Sequence, residues 1–170
     1  NLDLFSQKFF GEYYKKNKLI FSDSYESYID LVSLIFHNMG ININTVPVLD
    51  ILRNNSHKII GSRSYSKNKK EVYYLGQLCI NFYKKNKIGT VIKHIPGHGL
   101  SRKDTHLKLP YISNKLCYLE KNDFSVFKNK KSIFAMTAHI VFESIDKHDC
   151  VTHSKKTIKY IRNKIGFKNL

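Results

Sequence analysis

Two hydrophobic rhythms alternate along this chain, and that alternation constrains its fold more than any other feature. Over residues 24–39 the apolar side chains Ile29, Val32, Ile35, Phe36 and Met39 share one helical face, and Gly40 ends the run. Residues 41–49 are short, β-branched and apolar, the pattern of a strand buried on both faces. A polar loop over 50–70, broken by Gly61, leads to a second helix over 71–85 with Val72, Leu75, Leu78, Cys79 and Phe82 on one side. Strand character returns at 90–95 (Thr-Val-Ile-Lys-His-Ile). A loop over 96–110 follows, then a short helix over 120–128 and a third buried strand over 133–141. The last helix spans 154–165, with Ser154 as its N-cap and Gly166 placed to close it. Strands separated by helices pair in parallel through right-handed crossovers, so the expected class is α/β, in one domain over 1–170.

Charge points towards an acidic partner, but the make-up of the charge points away from one. The chain carries 29 Lys+Arg against 13 Asp+Glu, a formal +16. Of these, 25 are Lys and only Arg53, Arg63, Arg102 and Arg162 are Arg, whereas groove readers and phosphate clamps favour the Arg fork. The lysines read as a solvated surface, and no nucleic-acid partner is expected. A basic nucleic-acid-binding module stays as the rival reading, and it predicts affinity that falls steeply with salt. No apolar run reaches the ~18 residues of a membrane span, so no membrane partner is expected either. Cys79, Cys117 and Cys150 are odd in number and far apart, which suggests free thiols of a reducing, cytoplasmic compartment.

In parallel α/β folds the working residues gather at the carboxyl ends of strands. Asp50, Lys93-His94 and His139 fall at such ends. The densest cluster is Lys93-His94-Ile95-Pro96-Gly97-His98-Gly99, then four residues, then Asp104-Thr105-His106. A carboxylate beside an imidazole fixes its tautomer and raises the basicity of the far nitrogen, so Asp104 and His106 form a candidate acid/base pair. Taken alone, the Asp-x-His triplet reads more simply as a turn cap beside an exposed ring. His94, His98 and His106 offer three imidazoles for zinc, but Pro96 and Gly97 keep His94 and His98 off one helical face, and no metal is expected. Lys93 and His94 are adjacent, so a regular strand would turn them to opposite faces.

The run from Lys93 to Gly99, its gap, Asp104-Thr105-His106 and Leu109-Pro110 resemble the signature of glycoside hydrolase family 3. The nearest group is the bacterial β-N-acetylhexosaminidases of cell-wall muropeptide recycling. Pro47-Val48-Leu49-Asp50, Gly61-Ser62-Arg63-Ser64-Tyr65, Ala138-His139-Ile140-Val141-Phe142 and Ile161-Arg162 through Gly166-Phe167 follow in the family's order. The resemblance implies a (β/α)₈ TIM barrel, here incomplete, since a full one takes about 250 residues. It implies His106 as general acid/base and Asp104 as its orienting partner. Arg63, Lys93 and His94 would contact the sugar of an N-acetylglucosamine-containing muropeptide or glycoside, with no cofactor. The reaction would retain configuration through a glycosyl-enzyme intermediate on an Asp.

Two family segments have no counterpart here. One is the Ser-Asp-Asp that carries the nucleophile, and the other is an earlier Asp-Gln-Glu-Gly-Gly. Around 150–155 the family's Pro-Ala-Thr-x-Ser-Pro becomes Cys-Val-Thr-His-Ser-Lys. Asp50, Asp146 and Asp149 do not match the nucleophile position. The chain is therefore expected to be the middle of the barrel, inactive and aggregation-prone by itself. A companion chain carrying the missing strands is the partner this implies. A non-catalytic remnant is the alternative.

Overall fold

The computed structural model describes residues 4–54, 60–101 and 109–170. The expected alternation is present, and every strand pairing in it is parallel. Helix α1 (Gln7–Lys16) opens the chain, with Ser6 Oγ accepting the Phe9 amide as N-cap. This helix lies outside the expected elements. Helix α2 (Lys18–Asn38) begins six residues earlier than its apolar period suggested. Its inward face is Phe21, Tyr25, Ile29, Val32 and Ser33, spaced as one side of a helix demands. The left-handed Gly40 then turns the chain into the sheet.

Strand β1 (Ile43–Asn44) is far shorter than the expected 41–49, for a local reason. Pro47 has no N–H to donate and sits after a cis Val46–Pro47 bond. The ladder resumes beyond it: the Lys93 amide donates to Pro47 O at 3.1 Å and the Leu49 amide to Lys93 O at 2.7 Å. Helix α3 (Lys69–Lys85) is capped by Asn68, carries Glu71 in its first turn and Lys84 and Lys85 in its last, and buries Val72, Leu75, Cys79, Ile80 and Tyr83. It is the crossover to β2 (Gly89–Ile95), which pairs with β1 on one side.

Beyond β2 the chain departs further from expectation. Tyr111–Ile112 forms a short strand, β3, directly after the segment read as loop and outside the expected elements. The helix expected over 120–128 is instead α4 (Leu116–Lys121) followed by a 3-10 turn at Ser125–Phe127. The third expected strand is two: β4 (Phe134–Thr137) pairs with β2, and β5 (Val141–Phe142) pairs with β3. The final helix is α5 (Lys155–Tyr160), continued by a π turn over Ile161–Ile165. Ser154 caps it and Gly166 closes it in the left-handed conformation, both as expected.

The sheet order β1-β2-β4, with helices crossing between strands, is part of a barrel wall, and no closed barrel forms among the described residues. Thr90 and Ile92 face the helices and are buried. The other face carries Ile43, Val91, Lys93, Phe134 and Met136 by register, and Ile43, Phe134 and Met136 are each 42% exposed. The last residues already run beside β4: the Ala135 amide donates to Asn169 O at 3.0 Å. Two sets of polar groups buried in the helical layer find partners there. The Tyr25 and Tyr65 hydroxyls meet at 2.6 Å beside Cys79, whose thiol burial pushes up to about 11. Lys130 donates to Tyr73 O at 2.6 Å and lies 3.4 Å over the Tyr73 ring, with burial drawing its pKa down to about 7.

Candidate active site

The carboxyl ends of the strands bring the candidate residues together around Asp50. Its side chain is fully buried, and its charge is met by donors on every accessible side. Oδ1 accepts the His98 amide at 2.6 Å and the His94 amide at 3.3 Å, and Oδ2 lies 2.7 Å from His94 Nδ1. A carboxylate only accepts, so Nδ1 carries a proton, and in the neutral ring Nε2 is the nitrogen with the lone pair. Asp50 thus sets both the tautomer and the direction of His94. The sequence placed Asp50 at a strand end but gave it no partner.

The expected alternation of Lys93 and His94 fails because β2 is irregular at this point. Lys93 pairs with Met136 and Ile95 with Thr137, so His94 is the extra residue of a bulge, and the Lys93–His94 bond is cis. Lys93 keeps the face of the sheet that carries Phe134 and Met136, while His94 turns to Asp50. Lys93 Nζ reaches Thr45 Oγ1 at 3.3 Å. Burial and the neighbouring Arg63 hold its pKa below the ordinary lysine value, with Asp50 opposing them.

Arg63 stands in the 3-10 turn Gly61–Arg63, which is held because Ser64 Oγ donates to Asp50 O at 2.7 Å. A cleft of about 210 Å³ opens there, lined by Arg63 and Lys93 together with Ser62, Thr45, Gln7 and Val48. Gln7 is a positioning residue that sequence reasoning missed. Its amide donates to Val48 O at 2.9 Å and accepts the Val48 N–H at 2.8 Å, so it stands in for a neighbouring strand.

The Pro96-Gly97-His98-Gly99 segment owes its glycines to close approach. Gly97 has φ +146°, and a Cβ there would lie 3.0 Å from Asp123 Cβ; one on Gly99 would lie 2.1 Å from Ile51 O. His98 is buried, its ring centre 5.5 Å from that of His94, and burial lowers its pKa. Its Nδ1 meets no hydrogen-bond partner among the described residues. His139 is exposed, and its Nδ1 lies 2.8 Å from Thr152 Oγ1 rather than in the cleft. No metal-holding group of three His, Cys, Asp or Glu occurs among the described residues. Asp104 and His106 lie outside the described residues.

A family model for the glycosyl hydrolase family 3 N-terminal domain matches residues 33–170. The chain belongs to that family. The β-hexosaminidase of Neisseria meningitidis serogroup C is 31% identical to it over 134 residues, which are 77% of this chain and 37% of that protein. β-Hexosaminidase A of Pseudoalteromonas piscicida is 29% identical over 119 residues, 20% of its own length. Among solved structures, NagZ from Neisseria gonorrhoeae in complex with N-trifluoroacetyl-D-glucosamine superposes with a TM-score of 0.87 at 26% identity, covering 97% of this chain and 50% of that one. A family-3 β-N-acetylglucosaminidase from Paenibacillus sp. gives 0.82 at 25% identity, covering 88% and 29%. This family-3 chain therefore spans half or less of these relatives' own lengths, and its partial barrel corresponds to part of their (β/α)₈ domain.

Proposed function

We propose that this chain supplies the sugar-binding wall and the acid/base loop of a retaining β-N-acetylglucosaminidase acting on N-acetylglucosamine-containing muropeptides. One observation carries the reading. Arg63 and Lys93, which lie 30 positions apart in sequence, converge on a single small cleft, with His94 held beside it by Asp50. A cleft of about 210 Å³ suits one sugar ring, being smaller than the roughly 300–1,000 Å³ of drug-sized ligand sites. The N-acyl glucosamine bound to the gonococcal relative supports the choice of sugar.

In this reading Arg63, Lys93 and the free Nε2 of His94 hold the sugar hydroxyls, and His106, oriented by Asp104, protonates the leaving oxygen. The Asp nucleophile belongs to a Ser-Asp-Asp segment that these 170 residues do not contain. A companion segment therefore supplies it, together with the strands that cover Phe134 and Met136, and the chain by itself binds sugar without cleaving it. The free thiols of Cys79, Cys117 and Cys150 are in keeping with a cytoplasmic setting.

Calorimetric titration of the chain with N-acetylglucosamine tests the binding step. Arg63→Gln or Lys93→Met should each weaken affinity about tenfold or more, since hydrogen bonds from charged donors are worth roughly 1.5–3 kcal/mol. The melting temperature should stay nearly unchanged. A large thermal loss with unaltered affinity would make both residues structural and overturn the reading.

A further inference from the structure

We infer that Arg53 and Asp123 are a positioning pair that clamps the Pro96–Gly99 segment and so holds Asp50 and His94 in their sugar-binding arrangement. The inference rests on the proposed role of the cleft. Arg53 Nη2 lies 2.9 Å from Asp123 Oδ2, joining the loop after β1 to the turn after α4 across 70 residues of sequence. The Asp123 side chain is 2% exposed and that of Arg53 29%.

The pair lies against the one segment whose backbone feeds Asp50. Gly97, at φ +146°, packs on the Asp123 backbone and Cβ, where an added Cβ would come within 3.0 Å, while Gly99 packs on Ile51 O, two residues before Arg53. Pro96–Gly99 is thus held between the two stretches that the ion pair ties together. Its inner residue, His98, gives Asp50 its shortest hydrogen bond, 2.6 Å. The turn holding Asp123 is itself anchored, because Lys69 Nζ donates to Lys121 O at 2.6 Å.

Asp123 also departs from what a purely structural ion pair would show. Its Oδ1 is buried and meets no hydrogen-bond donor among the described residues, although buried carboxylates normally fill both oxygens. Burial raises its pKa despite Arg53 beside it. The carboxylate is held at this cost on the residue whose Cβ and backbone pack against Gly97.

The test uses the full chain and three variants, Asp123→Asn, Arg53→Met and Arg53→Lys, each followed by hydrogen exchange and by N-acetylglucosamine titration. Asp123→Asn and Arg53→Met should speed exchange of the His98 amide about tenfold or more, a local opening, while amides of α3 and of residues 90–92 keep their protection. Sugar affinity should fall in step, and Arg53→Lys, which keeps the charge, should recover much of both. Unchanged His98 exchange in the first two variants overturns the clamp. So does protection lost evenly across α3 and β2, which would mark a general structural role. Should Asp123→Asn fail to fold, the comparison of Arg53→Lys with Arg53→Met decides. Should the parent chain bind no sugar while His98 exchange responds as expected, the clamp stands and the reading of the cleft fails.

Discussion

Replacing Asp50 by Ala is expected to lower the unfolding free energy by about 3–5 kcal/mol, the usual result of removing one member of a buried, charge-assisted network. For a chain of this size that is a fall in melting temperature of roughly 10 °C, at about 2–4 °C per kcal/mol. The size follows from the number of groups that depend on this carboxylate. It accepts the amides of His94 and His98 and the Nδ1–H of His94, all from an irregular strand end and the glycine loop that follows it. Asp50→Asn separates stability from function. The amide keeps an oxygen for the His98 N–H but turns a donor towards Nδ1, so His94 must move its proton to Nε2. Sugar affinity should then fall while most of the thermal stability returns. Equal thermal losses in the two variants, with sugar affinity unaltered, would contradict this role for Asp50.

The largest effect on chemistry is expected at His106, in an enzyme completed with a segment carrying the Ser-Asp-Asp nucleophile. His106→Ala should lower turnover by roughly 10²–10⁴-fold, the ordinary worth of general acid–base catalysis. The assignment rests on the family resemblance of Asp104-Thr105-His106. Of the described residues on either side, Ser101 is buried and its amide donates to His98 O at 3.0 Å, and Pro110 O accepts the Val141 amide at 3.0 Å. The loss should shrink for substrates whose leaving groups need little protonation, and turnover measured against leaving-group pKa checks this. Equal losses for good and poor leaving groups would remove His106 from the acid role.

The parts of the fold that read correctly from sequence are those whose periodicity is local. Helices α2 and α3, strand β2 and the Ser154 and Gly166 caps all follow from spacing within one element. The misses have local physical causes too. Pro47 interrupts a run that is otherwise ideal for a strand, and the run 133–141 divides between β4 and β5 at Ala138–Ile140. Helix α1 is rich in aromatics on several faces, which pack as Phe9–Phe10, Phe10–Tyr25 and Tyr14–Phe21 pairs rather than as one stripe.

At the site, the resemblance to family 3 named Arg63, Lys93 and His94, and the structure brings Arg63 and Lys93 to one cleft with His94 beside Asp50. What spacing could not reveal were partners distant in sequence. His94 meets Asp50 across 44 residues, Val48 meets Gln7 across 41 and Arg53 meets Asp123 across 70. Such contacts leave no mark in any local pattern, and only the tertiary fold brings them together.

Nuclear magnetic resonance of the isotopically labelled 170-residue chain, titrated with N-acetylglucosamine, tests the sugar-binding site most directly. Saturable shifts should centre on Arg63, Lys93 and His94 and reach Thr45 and Ser62 at the rim of the cleft, and they should vanish in the Lys93→Met variant. Shifts centred elsewhere, such as on the basic surface of α5, or no saturable shifts at all, would contradict the assignment of this cleft to the sugar.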